Sequence, residues 1–313
     1  MADRLRARKC GGRAIAEACL SDARGRAGRV RSRPGHRGSR DLSRPVGSNR
    51  FVTQEPMTRA MSGALAARLS RLLPGGRGVW IPMDHGISAY PEEGLDRMDA
   101  VVDSIIAAGA DAIVAQKGVV SRQVARTGWN GFVCHVSVST VHGGPNAQSK
   151  VKVASAAEAK SRGAFGVSGQ INLGDENEPK MILDLGELTA EAHAAEMPVL
   201  GMVYPRGPNL IVSPEDETGG IAHAARVAHE LGCHVVKVPW TGSVESFRTV
   251  CEAVPIPVLI AGGAKEGDFS ATLEIVALAI QAGGAGVCMG RQVFGAEDPG
   301  ATVRALAEII HGA

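Results

Sequence analysis

From residue 62 onward, apolar and polar positions follow two alternating periods. Short apolar runs at residues 79–83, 112–115, 132–139, 166–172, 198–204, 234–238, 257–261 and 286–289 read as strands. Stretches with helical spacing lie between them, at 95–108, 154–161, 179–195, 214–231, 244–253 and 269–282. Only the connection after the third strand resists this reading. Eight strands separated by helices imply parallel crossovers. The body is about 250 residues long, the usual size of a closed (β/α)8 TIM barrel. This α/β architecture, in a single domain over 57–313, is the expected fold. A doubly wound sheet is the runner-up, but no GxGxxG follows the first strand.

Two strands also predict their faces. In the third, Phe132, Cys134, Val136 and Val138 share one side, leaving His135, Ser137 and Ser139 on the other. In the fourth, Val167, Gly169 and Ile171 oppose Ser168, Gln170 and Asn172. The apolar sides suit the surrounding helices, which turns the polar ladders inward. A purely structural barrel interior is branched aliphatic. A polar interior fits either a wet centre that holds a ligand or a satisfied buried hydrogen-bond network.

Lys237 stands out against this pattern. It interrupts the apolar run His234-Val235-Val236-Lys237-Val238-Pro239, facing the same way as Val235. A lysine among apolar neighbours loses hydration, which pushes its amine towards the neutral, nucleophilic form that imine chemistry needs. A snorkelling or salt-bridged lysine at a strand end is the other reading. Catalytic groups of a barrel project from the C-terminal ends of its strands. Asp84 ends the first strand and Tyr204 the fifth, so an acid, a phenol and a lysine are expected at one mouth. A helix-capping carboxylate and a packed aromatic are the simpler roles for the first two. Strands seven and eight run into Gly262-Gly263-Ala264-Lys265 and Gly290-Arg291. Glycines there let backbone N–H groups approach a phosphate, and Lys265 and Arg291 add charge. No HExxH or similar spacing points to a metal, and no Walker or Rossmann fingerprint to a nucleotide.

The formal charge of +2 conceals two segments. Residues 1–56 hold 14 Arg and Lys against 5 Asp and Glu, while the rest holds 20 against 27. The Arg/Gly-rich leader carries no sustained apolar period and is expected to be disordered. A nucleic-acid-binding tail, a transit peptide, or translation from upstream of a start at Met57 or Met61 would each account for it; the last is favoured. No run of about 18 apolar residues occurs, and none of the six cysteines forms a CxxC or a framework spacing. A soluble cytoplasmic body follows, with no membrane or nucleic-acid partner.

Five segments taken together resemble a known family. They are Pro82-Met83-Asp84-His85-Gly86, Tyr204-Pro205-Arg206-Gly207, Val235-Val236-Lys237, Ala261-Gly262-Gly263 and Gly290-Arg291. In this order they are similar to class I, Schiff-base aldolases of the archaeal fructose-bisphosphate type, and most of all to the aminosugar synthases of aminohydroxybenzoate pathways. The resemblance implies that Lys237 forms the Schiff base, with Tyr204 and Asp84 as acid–base partners and no cofactor. It implies sugar-phosphate contacts from Gly262, Gly263, Gly290, Arg291 and Lys265, with Arg206 and His85 at the same mouth. Dihydroxyacetone phosphate or a deoxy-ketohexose phosphate is the implied donor and L-aspartate 4-semialdehyde the implied acceptor. Fructose-bisphosphate cleavage and a non-catalytic sugar-phosphate-binding barrel are the alternatives. A homo-oligomeric ring, a decamer or another pentamer-based assembly, is implied too. Three positions depart from the fructose-bisphosphate pattern: Met202 where Trp is usual, Gln170 for an inward His, and Gln292 for Asn.

Overall fold

A computed structural model describes residues 61–211, 216–263 and 268–312. The leader expected over residues 1–56 therefore lies outside the described residues. Eight parallel strands close on themselves: β1 (Gly78–Pro82), β2 (Ala112–Gln116), β3 (Phe132–His135), β4 (Gly166–Leu173), β5 (Val199–Pro205), β6 (Val235–Val238), β7 (Val258–Ala261) and β8 (Gly286–Cys288). Each strand pairs with its neighbours in sequence, and β8 returns to β1 with Val287 beside Val79. The expected TIM barrel is the observed fold.

Helix α1 (Gly63–Leu72) precedes the barrel and starts at Ser62, whose Oγ accepts from the Leu65 N–H at 3.3 Å. It carries Leu72 and Leu73 against Trp80 of β1, and the Trp80 indole donates to the Leu72 carbonyl at 2.8 Å. With Val114, Val133, Leu200 and Leu259 they fill the lower interior. The opposite strand faces, including Val79, Ile113, Phe132, Val236 and Ile260, form a second cluster with the outer helices. Those helices are α2 (Met98–Ala107), α3 (Lys117–Thr127), α4 (Ala156–Ser161), α5 (Glu178–Ala194), α6 (Glu217–Glu230), α7 (Val244–Glu252) and α8 (Phe269–Gln281). The short α9 (Arg291–Phe294) and then α10 (Pro299–His311) complete the ring. No helix among the described residues is long and apolar enough to cross a membrane.

The third strand is shorter than the sequence predicts. β3 ends at His135, after which Ser137–Val138 pairs antiparallel with Val151–Lys152 in a separate two-stranded ribbon. Two hydrogen bonds explain the exit. The Val136 N–H still reaches the Ser168 carbonyl of β4, but the Val136 carbonyl accepts from Val153, a residue of the excursion. One step further on, the Ser137 hydroxyl replaces the missing strand by accepting the Gln170 N–H at 2.9 Å. Ser137 and Ser139 therefore do not continue an inward polar ladder. That expectation holds for His135, Ser168 and Gln170.

Candidate active site

The C-terminal ends of the strands surround a cavity of about 740 Å³. Asp84, Tyr204 and Lys237 all line it, together with Gln170, Met202 and Cys288. Strand alternation brings them there. On β1 the side chain of Met83 joins the outer core, so Asp84 turns inward just before a 3-10 turn, His85–Ile87. On β5 Met202 and Tyr204 both face the interior. The register places Met202 between Gln170 of β4 and Lys237 of β6. The side chain at position 202 thus touches the layer that holds Lys237, which gives physical meaning to the departure noted there.

Lys237 and Tyr204 are both buried, and the phenol lies within hydrogen-bonding reach of the amine. Burial pushes the Tyr204 hydroxyl up from its usual range, so it is a protonated phenol at neutral pH. Burial also opposes the charge on Asp84, but His135, His85 and Lys237 outweigh it and hold the carboxyl below its usual value. For Lys237 the sequence argument pointed the wrong way. Burial does press the amine towards neutrality, but Cys288, Tyr204 and Asp84 together hold it above the ordinary lysine range. The Cys288 thiol is itself pushed up to about 11 by burial, and Lys237 draws it back down only in part. At neutral pH the free site therefore holds an ammonium beside a carboxylate, and the nucleophile must be made by proton removal.

The turns after β7 and β8 form another part of the cavity wall, including Gly262, Gly263, Gly290 and Arg291. Gly263 adopts φ +65°, a left-handed conformation that suits glycine. Arg291 spans the two turns, its Nη2 donating to the Gly263 carbonyl at 2.9 Å. Its Nε is buried without a hydrogen-bond partner among the described residues, so a donor remains for an anion. Gln292 ties the same turns by donating to the Gly262 carbonyl at 3.0 Å. Lys265 lies outside the described residues. Gly290 has a packing reason of its own. A Cβ there would sit 2.3 Å from the Pro82 carbonyl and 2.8 Å from the His85 ring. Gly290→Ala is expected to destabilise the fold by about 1–3 kcal/mol, by forcing β1 and β8 apart; the urea unfolding midpoint measures it.

His85 and Arg206 also line the mouth. The His85 ring meets Phe294 edge-on at 5.3 Å, and its Nδ1 lies 3.9 Å from Asp84 Oδ1. Arg206 stacks over the Tyr204 ring at 4.0 Å. Two residues that sequence reasoning did not place at the site join them. Lys150 enters the cavity lining from the excursion after β3 and donates to Ser139 Oγ at 2.7 Å. Burial lowers its pKa, Asp84 draws it back up, and Arg206 lowers it further. Beneath the cavity, His135 stands 3.7 Å from Asp84 Oδ2. The inward face of the third strand was the signal for His135. No periodic signal exists for Lys150, which sits in an irregular excursion. Among the described residues no group of three or more His, Cys, Asp or Glu side chains could hold a metal ion.

The cavity thus joins a lysine, a phenol and a carboxylate to a glycine-lined turn pair carrying an arginine. Known proteins resemble this chain. Residues 79–296 match the DeoC/LacD family of aldolases. The chain is 38% identical over 245 residues to 2-amino-3,7-dideoxy-D-threo-hept-6-ulosonate synthase of Halobacterium salinarum, covering 78% of this chain and 91% of that protein. It is also 38% identical over 234 residues to 2-amino-4,5-dihydroxy-6-oxo-7-(phosphonooxy)heptanoate synthase of Streptomyces griseus, covering 74% and 84%. Among solved structures, an archaeal fructose-1,6-bisphosphate aldolase with its catalytic lysine bound to the carbinolamine intermediate of its substrate superposes with a TM-score of 0.71. That match has 28% identity and covers 79% of this chain and all of the other.

Proposed function

The chain belongs to the DeoC/LacD family of aldolases and is an enzyme of that family, and we propose that it joins a three-carbon enamine derived from a ketose phosphate to L-aspartate 4-semialdehyde through a Schiff base on Lys237. The observation that carries this reading is the placement of Lys237. It is a buried lysine in reach of the Tyr204 hydroxyl and of the Asp84 charge, in a cavity that also offers an anion site at Gly263 and Arg291.

The chemistry follows from those groups. Asp84, held as a carboxylate, takes a proton from the Lys237 ammonium as the donor ketone enters. The free amine attacks the carbonyl carbon, and the Tyr204 phenol supplies the proton that lets water leave the carbinolamine. The resulting iminium withdraws electrons, so the adjacent carbon gives a proton to the phenolate left on Tyr204 and becomes an enamine. That carbon attacks the aldehyde, and water then frees the product from Lys237. With dihydroxyacetone phosphate as donor, three carbons join four. The product is a seven-carbon 2-amino-4,5-dihydroxy-6-oxo acid with phosphate on carbon 7, the compound in the name of the S. griseus relative. The H. salinarum relative is named for a 3,7-dideoxy product without that phosphate. A deoxy-ketohexose phosphate donor fits that outcome: cleavage leaves its unphosphorylated three-carbon end as the enamine on Lys237, and the other three carbons depart as an aldehyde that keeps the phosphate.

Lys150 and Arg206 add the acceptor end to this reading. Both line the cavity from the β3 and β5 connections, and neither has an ion-pair partner among the described residues. They suit the carboxylate of an amino-acid aldehyde. Lys150→Met is expected to raise the acceptor KM about 10-fold or more, the worth of one charge-assisted hydrogen bond. Adduct formation from the donor alone should be unchanged. A larger effect on the donor would place Lys150 at the wrong end.

The function itself is tested by incubating the enzyme with each donor and with aspartate 4-semialdehyde or glyceraldehyde 3-phosphate. Products are then identified by mass spectrometry. A seven-carbon amino keto acid supports the reading; product only with glyceraldehyde 3-phosphate turns it into fructose-bisphosphate chemistry. A cytoplasmic, pentamer-based homo-oligomer belongs to the same reading, with light scattering as its check.

A further inference from the structure

One buried group beside the site takes no part in the steps above. His135 ends β3 and pairs in register with Ser168 of β4. Its Nδ1 lies 2.6 Å from Ser168 Oγ, and its Nε2 lies 3.7 Å from Asp84 Oδ2. His135 is 2% exposed and Ser168 is fully buried, and neither lines the cavity. The pair forms a buried connection from the barrel interior to the back of the Asp84 carboxylate.

We propose that His135, with its tautomer set by Ser168, is a positioning residue that orients the Asp84 carboxylate and keeps it ready to accept a proton. The proposal rests on the reading of Asp84 as the proton acceptor for Lys237. A neutral imidazole has one donor and one acceptor nitrogen. If Nδ1 carried the proton, the Nε2 lone pair would face the negative Asp84 carboxylate inside the buried layer, an unfavourable contact. If the Ser168 hydroxyl donates to Nδ1, the proton sits on Nε2 and faces Asp84 Oδ2. The second arrangement satisfies both contacts. The distance of 3.7 Å is longer than a hydrogen bond. It is therefore a charge–dipole contact in the free site, of the kind that tightens when substrate binds. Burial keeps the imidazole neutral, and although Asp84 pulls its pKa back up, Lys150, Lys237 and His85 support burial. His135 is thus a fixed dipole behind Asp84 and not a second base.

Every charged or titratable group facing Asp84 enters the expected outcome. These are His135 from β3, His85 from the turn after β1, Lys237 from β6, Tyr204 from β5, Cys288 from β8 and Lys150 from the β3 excursion. Of the two imidazoles beside Asp84, His135 is the nearer, at 3.7 Å from Oδ2 against 3.9 Å from His85 to Oδ1. Removing it leaves Lys237, His85 and Lys150 in place but takes away the nearest support. Asp84 should then hold its proton to higher pH.

The test is the pH dependence of kcat/KM for wild type, His135→Leu, His135→Gln and Ser168→Ala, with borohydride trapping of the donor on each. In wild type, the profile should steepen at low pH where Asp84 takes up its proton. His135→Leu is expected to move that break upward by about one pH unit and to lower kcat about 10-fold, with KM little changed. Ser168→Ala loses a single oxygen and should move the break the same way by less. His135→Gln presents an amide N–H near the Nε2 position and should restore most of the wild-type profile. A break that stays put in both His135→Leu and Ser168→Ala, with kcat lowered or not, would overturn the proposal. If His135→Leu does not fold, the Ser168→Ala break and the ¹⁵N shifts of the His135 ring decide. Nδ1 protonated in the wild type would likewise overturn it. Failure of the underlying reading looks different, because then wild type itself traps no donor on Lys237.

Discussion

Lys237→Ala is expected to lose the borohydride-reducible adduct with dihydroxyacetone phosphate entirely and to lower kcat by at least about 10⁴-fold. Removing a covalent nucleophile costs that much because the residual rate comes from binding and electrostatics alone. Intact-protein mass before and after reduction, followed by peptide mapping, checks both the adduct and its position. The variant should still fold, since Ala fills part of a buried site already lined by Tyr204 and Cys288. In the wild type, the rate of adduct formation should climb as pH rises through the neutral range. Lys237 is held above the ordinary lysine range, so the reactive fraction is small at neutral pH and grows with alkalinity. A trapping rate that is flat from pH 6 to 9 would mean that the amine is already neutral, as burial alone would have it. An adduct on another lysine would end the assignment of Lys237.

That contrast shows where local sequence stops being informative. The run around Lys237 shows that the lysine is buried and faces inward, and both are observed. Its protonation depends on groups from β1, β5 and β8, which are 33 to 153 residues away in the chain and adjacent only once the barrel closes. Burial argued from one strand counts the desolvation and omits the partners. Strand ends were legible for the opposite reason. Alternation fixes the direction of Asp84, Tyr204 and Lys237 from a few neighbouring residues, and the fold sends every strand end to the same mouth. The third strand lies between these cases. Its first half obeys the pattern and delivers His135, but nothing in the spacing of Ser137 and Ser139 reveals that the chain departs after Val136. Lys150 rides on that departure, so its place in the cavity could not be read from a period. The polar interior divides between a cavity wall and buried hydrogen bonds. Gln170 lines the cavity and donates to Asn172 further along the strand, while His135 and Ser168 form a hydrogen-bonded pair below it.

Tyr204→Phe should separate two steps that Lys237→Ala abolishes together. The substitution removes one oxygen from a buried ring and keeps the face on which Arg206 stacks, so the fold and the mouth persist. What disappears is the phenol within reach of the Lys237 amine, a proton donor because burial keeps it protonated. General acid catalysis of this kind is worth about 10²–10⁴-fold, and kcat is expected to fall by that amount. The donor adduct should still form, more slowly, because Lys237 and Asp84 remain to make the nucleophile and attack the carbonyl. The carbinolamine is the species that lacks its proton source, so a larger part of the bound donor should sit at that stage. Borohydride reduces the iminium and not the carbinolamine. The variant should therefore show a lower trapped yield at early times that recovers on long incubation. Loss of Tyr204 also removes one support for the raised Lys237, so the alkaline rise in trapping rate should begin at lower pH than in the wild type. A fall in kcat with an unchanged trapping rate would move Tyr204 to the later carbon–carbon step. An unchanged kcat would leave Asp84 as the sole acid–base partner of the lysine.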